Sequence, residues 1–83
     1  MYRLGPAAER DLARLPGGVV ARIVAALERL PAGDIKRLQG VPYERLRVGD
    51  YRVILSLSGG GGMVLVHRIC NRRDLERVIG QLR

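Results

Sequence analysis

Apolar residues recur at helical spacing in two stretches of the N-terminal third of the chain. The first stretch follows Gly5-Pro6 and stops at Pro16-Gly17-Gly18, and proline suits the first turn of a helix. The second stretch is predicted to be a helix from about Val19, because its apolar residues form one stripe: Val20, Ile23, Val24, Leu27 and Leu30. The connection is only about three residues long, so the two helices are predicted to form an antiparallel hairpin.

Beyond the hairpin the apolar spacing becomes alternating, as it is in β-strands. In the first predicted strand Tyr43, Arg45 and Arg47 point to one side, while Leu46 and Val48 point to the other. One side of this strand is therefore expected to pack on a core, and the other carries arginines.

Two more strands and a last helix are predicted in the C-terminal half. A turn at Val48-Gly49-Asp50 leads into a strand over residues 51–57. A strand over residues 63–70 follows a glycine-rich segment at 58–62 that is predicted to be a hairpin tip. Alternation places His67 on the opposite face from Cys70. Asn71 can cap the final helix, whose apolar stripe is Leu75, Val78, Ile79 and Leu82.

With a short edge strand at residues 2–4, the predicted order of elements is β-α-α-β-β-β-α. This order indicates an α+β fold in which an N-terminal helical hairpin packs on a small antiparallel β-sheet with a short C-terminal helix. A chain of 83 residues suits one domain, which we predict to span residues 1–83. The hairpin covers one face of the sheet, so the arginines are expected to gather on the other.

The net charge of the chain indicates what kind of partner the arginine-bearing face could bind. Fifteen basic residues, fourteen of them arginine, oppose eight acidic ones for a formal net charge of +7. Arginine binds phosphate through two parallel hydrogen bonds and is weakly hydrated, so RNA, DNA or an acidic protein is the natural complement. Solubility, or an arginine-rich genome of high GC content, is the alternative explanation.

Several other function classes are excluded by the residue inventory. The single His67 and the single Cys70 do not make a metal-ligand set, and no phosphate-cradling, dinucleotide-binding or serine-triad pattern occurs. No metal and no cofactor is therefore expected. One cysteine without an internal partner points to a reducing cytoplasm, and no apolar run is long enough to span a bilayer.

The arginines themselves suggest a chemistry. Five of them are predicted to converge from two strands and the start of the last helix: Arg45, Arg47, Arg52, Arg72 and Arg73. Such a group would hold a polyanion and stabilise the pentacoordinate phosphorane formed when a 2′-hydroxyl attacks its neighbouring phosphate in RNA. Alternating arginine on a strand is also typical of a solvated face, and both interpretations stay open at this point.

Four stretches of the chain carry a resemblance to a known family: AAERDLARLP (7–16), IKRLQG (35–40), YERLRVGDYRVI (43–54) and RICNRRDLERV (68–78). On these stretches the sequence resembles the RelE/ParE superfamily of toxins, the small basic partners in bacterial type II toxin–antitoxin pairs, over nearly its whole length. The third stretch is the most specific, because its R-x-R-V-G-D-Y-R hairpin is uncommon elsewhere. The resemblance implies the same helical hairpin on a small antiparallel sheet.

In the RelE-like branch the toxin is an endoribonuclease that cuts messenger RNA in the ribosomal A site by 2′-hydroxyl attack. Carried over by position, the resemblance implies that Arg52, Arg72 and Arg47 are catalytic. It implies RNA-binding roles for four residues: Arg45, Arg47, Arg73 and Tyr51. For Tyr51 a core or interface position is the alternative, because its alternation partners are apolar.

The resemblance is weakest at the two positions where many family members carry groups that transfer protons. Many members with this motif have His and Tyr where this chain has Asn71 and Glu76. Glu76 and His67 are the candidate replacements for proton transfer. The alternatives are that Glu76 is a solvated helix residue, that Asn71 caps the helix, and that His67 contributes to strand packing.

These departures keep two other functions open, namely a ParE-like inhibitor of DNA gyrase and a degenerate toxin that retains only antitoxin binding and operator co-repression. The short helical hairpin favours the RelE-like branch. The expected partners are a cognate antitoxin that wraps an acidic or amphipathic segment around the toxin in a hetero-oligomer, the ribosome and its mRNA, and operator DNA only through the antitoxin. No membrane partner is expected, and the expected location is the cytoplasm.

Overall fold

A computed structural model describes residues 1–57 and 62–83. Its elements are β1 Tyr2–Leu4, α1 Pro6–Ala13, α2 Gly17–Glu28, β2 Asp34–Arg37, β3 Glu44–Val48, β4 Tyr51–Leu57, β5 Val64–Asn71, a 3-10 turn Arg72–Asp74 and α3 Leu75–Leu82. Most of the hairpin tip predicted at residues 58–62 lies outside the described residues. Among the described helices, none combines the length and the apolar composition that a membrane span requires.

The predicted α+β fold class is confirmed. In the described part of the chain, three helices pack on a five-stranded sheet of order β1-β5-β4-β3-β2. All its strand pairs are antiparallel except β1 with β5. The strand β2 is an element that the sequence pattern did not separate, because only Ile35 of its four residues is even half-buried. An edge strand of this kind has no alternating apolar signal to detect.

The helical hairpin covers one face of the sheet. Ile23 and Leu27 of α2 are buried there in one cluster with Leu46 of β3 and Val53 of β4. The helix α2 begins at Gly17 rather than at the predicted Val19. The carbonyl of Pro16 accepts hydrogen bonds from the backbone N–H groups of residues 19 and 20 at 3.0 and 3.1 Å, so the first turn of the helix includes Gly17 and Gly18.

The C-terminal helix covers part of the opposite face. Val78 and Ile79 of α3 are buried against Ile54 of β4 and Cys70 of β5. The molecule is therefore layered as hairpin, sheet and single helix. The apolar stripe predicted for α3 packs on the sheet as expected. The stripe predicted for α2 is wrong in part, because Val19 and Ala26 join the core in place of Val20 and Val24. The arginines share their face with α3.

A salt bridge at the sheet edge links the two outer layers. Asp11 of α1 accepts hydrogen bonds from the Arg68 side chain at 2.9 Å and from the backbone N–H of Ile69 at 2.8 Å. Arg68 also donates to Gln81 of α3 at 2.8 Å. One guanidinium group thus connects α1, β5 and α3 beyond the point where β1 ends.

A β-bulge changes the face on which His67 lies. Ile54 pairs with Arg68 while Leu55 pairs with Val66, so His67 is an extra residue on β5. Its ring contacts Tyr43, which packs in the same cluster as Cys70. The prediction that His67 and Cys70 lie on opposite faces is therefore wrong, because strict alternation does not hold across a bulge.

Candidate nucleic-acid interface

The strand register gathers three arginines on the face that carries α3. Arg45 pairs directly with Ile54, and Arg47 pairs directly with Arg52. Ile54 is buried beneath α3, and directly paired residues point to the same side of a sheet. Arg45, Arg47 and Arg52 therefore form one surface, which we call the arginine face, on the side away from the helical hairpin.

Arg52 lies at the centre of the arginine face. Partial burial lowers the pKa of its guanidinium from the usual value, and the charges of Arg47, Arg45 and Arg72 lower it further, in that order. Arginine stays protonated at neutral pH regardless. The Nη1 atom of Arg52 donates to the carbonyls of Gly49 at 3.0 Å and Tyr51 at 3.1 Å, which fixes the group where the other three positive charges act on it.

The β3–β4 turn and the start of the last helix bring Arg72 close to this centre. The backbone N–H of Arg72 donates to the carbonyl of Asp50 at 2.8 Å, and its Nε atom lies 3.9 Å from the Asp50 carboxylate. Gly49 has a φ of +59°, a left-handed conformation that glycine adopts without strain. The turn thus positions two of the arginines, and it is one residue shorter than the predicted Val48-Gly49-Asp50 turn because Val48 belongs to β3.

Asn71 is the N-cap of the 3-10 turn Arg72–Asp74 rather than of α3, whose N-cap is Asp74. The side-chain oxygen of Asn71 accepts a hydrogen bond from the backbone N–H of Arg73 at 3.1 Å. This bond holds the Arg72–Asp74 turn against the end of β5. The side chain of Arg73 is exposed, with no hydrogen-bond or ion-pair partner among the residues that the structure describes.

Asp34 is a member of the site that the sequence analysis missed. Its carboxylate lies 3.3 Å from Arg45 Nη1, which also donates to the Asp34 carbonyl at 3.2 Å. The same carboxylate acts on Arg52 in the direction that raises its pKa. The two residues come together only because β2 pairs with β3, and the sequence pattern did not predict that strand. Arg47, by contrast, is exposed with no acceptor within the described ranges.

Three predicted site residues lie away from the arginine face or at its margin. Tyr51 packs on the helical-hairpin side of the sheet with Val48. His67 bonds to Ser56 at 3.0 Å, and burial lowers the pKa of its imidazole. Glu76 is exposed at the rim of a groove beside α3. The roles of these residues in RNA binding or proton transfer remain predictions.

Metal-binding and thiol chemistry find no support in the geometry. No three His, Cys, Asp or Glu side chains converge on a metal position in the part of the chain that the structure describes. The free Cys70 is buried, and burial raises the pKa of its thiol to about 11. A thiol with so high a pKa is a poor nucleophile at neutral pH.

The fold is RelE-like. A chain of the RelB–RelE antitoxin–toxin complex from Methanococcus jannaschii matches with a TM-score of 0.73 and 24% identity, covering 90% of this chain and 95% of that one. A chain of the RelBE2 toxin–antitoxin complex from Mycobacterium tuberculosis matches with a TM-score of 0.66 and 26% identity, covering 86% of this chain and 95% of that one. A chain of the archaeal RelE–RelB complex from Pyrococcus horikoshii matches with a TM-score of 0.69 and 25% identity, covering 86% of this chain and 92% of that one.

These structures include archaeal proteins, so the fold does not by itself indicate a bacterial origin. The sequence matches no protein-family model. It also matches no curated protein.

Proposed function

We propose that this chain is the toxin of a type II toxin–antitoxin pair and that it inhibits translation as a ribosome-dependent mRNA endonuclease. The observation that carries the proposal is the arginine face, where Arg52 is oriented by two backbone carbonyls within the field of three other arginines. An arrangement of fixed positive charge is what a phosphate with developing negative charge requires.

In the proposed reaction the 2′-oxygen of one nucleotide attacks the adjacent phosphorus, and the bond from phosphorus to the 5′-oxygen of the next nucleotide breaks. The products are a 2′,3′-cyclic phosphate and a free 5′-hydroxyl. Arg52 and Arg72 stabilise the phosphorane from two sides, with Arg47 beside them. Arg45 and Arg73 hold the flanking backbone.

Two protons must move in this reaction, one from the 2′-hydroxyl and one to the leaving 5′-oxygen. His67 and Glu76 are the proposed candidates for this role. The lowered pKa of His67 favours the neutral imidazole, which can accept a proton. Glu76 is exposed and follows the arginine-bearing turn at the start of α3.

The proposed partners follow from the charge of the site. An antitoxin with an acidic or amphipathic segment would neutralise the arginine face and exclude RNA. The three neighbours named above are toxin–antitoxin complexes, which supports a partner of this kind. Operator DNA would be bound only through the antitoxin, and the ribosome would supply the mRNA.

A ParE-like inhibitor of DNA gyrase is the second candidate function. It is favoured by the use of Asn71 as a cap and by the exposure of Glu76, because these two positions carry the His and Tyr in the RelE-like sequences. A site that only binds protein needs neither group.

One experiment separates these functions. The chain is induced without its antitoxin, growth is followed, and mRNA 5′ ends are mapped by primer extension. Cuts confined to translated codons would support the endonuclease. Growth arrest with intact mRNA would support gyrase or another protein target, and continued growth with intact mRNA would indicate a degenerate toxin.

A further inference from the structure

A groove beside the arginine face has the lining of a nucleobase site. It lies between α3 and the segment that follows β2, with a volume of about 310 Å³. Small-molecule sites start at about this size. Its apolar part is formed by Leu38, Leu75 and Ile79, which belong to or pack on the cluster beneath α3. Such a surface suits the flat face of a base.

The polar rim of the groove carries a carboxylate and an amide. Glu76 is exposed and has no hydrogen-bond or ion-pair partner among the described residues, and Gln39 lines the same groove. A carboxylate only accepts hydrogen bonds, whereas an amide also donates them. Guanine is the one RNA base whose Watson–Crick edge presents two adjacent donors, N1–H and the N2 amino group, beside the O6 acceptor. Adenine, cytosine and uracil would each place an acceptor against the carboxylate.

Two arginines at the rim can hold phosphate. Arg37 is bonded to Glu44 at 3.0 Å with most of its side chain exposed, and Arg83 lies over Gly40. The groove also continues from the arginine face. The residue before Arg37 pairs with Arg45 across β2 and β3, and α3 directly follows the turn with Arg72 and Arg73. An RNA strand on the arginine face could therefore place a neighbouring base in the groove.

We propose that this groove binds a guanine base of the RNA, with Glu76 accepting hydrogen bonds from N1–H and N2–H and Gln39 donating to O6. This inference rests on the proposed function, because it takes RNA as the ligand. It assigns Glu76 to base specificity and leaves His67 as the candidate for proton transfer in the proposed function.

Binding of single nucleotides tests the groove without any cleavage. The full chain is titrated with GMP, AMP, CMP and UMP while backbone amide NMR signals are followed. The expected result is that GMP binds about tenfold more tightly than AMP and shifts the signals of Leu38, Gln39 and Leu75. Glu76→Gln should remove most of this preference. Glu9→Gln is the matched control, since it removes the same charge from an exposed position on α1.

Equal affinity for the four nucleotides, an unchanged GMP preference in Glu76→Gln, or shifts confined to other residues would overturn the inference. Cleavage mapping with the same variants separates this result from the proposed function. Cleavage without a guanine preference would reject the groove and leave the endonuclease standing. A GMP preference without mRNA cleavage would support the groove and reject the endonuclease. Loss of cleavage at every codon in Glu76→Gln, with GMP binding intact, would show proton transfer and reject the specificity role.

Discussion

Arg47 and Arg52 are direct cross-strand partners in the β3–β4 pair, so two like charges stand side by side on the arginine face. The charge of Arg47 contributes to lowering the pKa of Arg52. Like charges directly opposite each other destabilise a sheet, by about 0.2–1 kcal/mol for an ordinary pair. A local arrangement that opposes folding is expected where a site must hold an anion.

Replacing one arginine of this pair should therefore stabilise the fold. We expect Arg47→Thr to raise the free energy of unfolding by about 0.5 kcal/mol, because it removes the repulsion and threonine suits a strand. Asp34, the partner of Arg47 on β2, forms its ion pair with Arg45, so the attraction lost with Arg47 is the smaller effect. Urea denaturation measures the change. Arg3→Thr on β1 is the matched control, since Arg3 is exposed and pairs with Leu65 rather than with a charge. Equal changes in unfolding free energy for Arg47→Thr and Arg3→Thr would show that Arg47 and Arg52 do not destabilise the folded state by repulsion.

The two arginines assigned to the phosphate should be required for toxicity and dispensable for folding. Arg52→Ala and Arg72→Ala are each expected to lower the cleavage rate about a hundredfold and to change unfolding free energy by less than about 1 kcal/mol. Growth after induction and thermal unfolding are the measurements. Arg10→Ala, at an exposed position on α1, should remain fully toxic. Full toxicity of both site variants would reject the assignment.

The contact between Asp11 and Arg68 should contribute to stability. Asp11→Ala is expected to cost about 2 kcal/mol, because the Ile69 N–H loses its acceptor and the half-buried Arg68 guanidinium keeps Gln81 but loses its carboxylate. In an Arg68→Met background the same substitution should cost about 1 kcal/mol less. Urea denaturation of the four proteins in this cycle gives the coupling. Strict additivity would mean that the salt bridge adds nothing.

His67 should make stability depend on pH. Burial lowers its folded-state pKa below the usual value of 6.5, so the unfolded chain binds the proton first as the pH falls. The contribution of His67 is therefore fully present above the unfolded-state pKa and is lost as the pH falls through the folded-state value. Unfolding free energies at about pH 7.5 and pH 5.5 should differ more in the wild type than in His67→Gln.

His67 is the only histidine in the chain. The difference in pH dependence between the wild type and His67→Gln therefore measures the contribution of this residue. The pH dependence that remains in His67→Gln measures the contribution of the carboxylates. Identical pH dependences would show that the imidazole is not desolvated on folding.

The alternation of the sequence correctly predicted which side of β3 carries arginine, because Leu46 is buried on one side and Arg45 and Arg47 lie on the other. It could not predict the bulge that moves His67, since a bulge depends on the register between β4 and β5. Nor could it find Asp34, whose contact with Arg45 spans eleven positions and exists only once β2 is paired.

At Tyr51, alternation and the family resemblance led to different expectations. The resemblance places it in the RNA-binding stretch, yet the strand register directs it to the helical hairpin with Val48. Alternation predicted this packing, because Val53 and Leu55 share its side of β4 and are buried there. The structure therefore supports the core position of Tyr51, and its role in RNA binding stays a prediction.

The most direct test of the central claim is cleavage of a defined mRNA in a purified translation system, with and without ribosomes, by the wild-type chain and by Arg52→Ala. We expect the wild type to cut the message at translated codons only when ribosomes are present, and Arg52→Ala to leave it intact. An uncut message in the presence of translating ribosomes and the folded wild-type chain would contradict the proposal that the arginine face is a site of RNA cleavage.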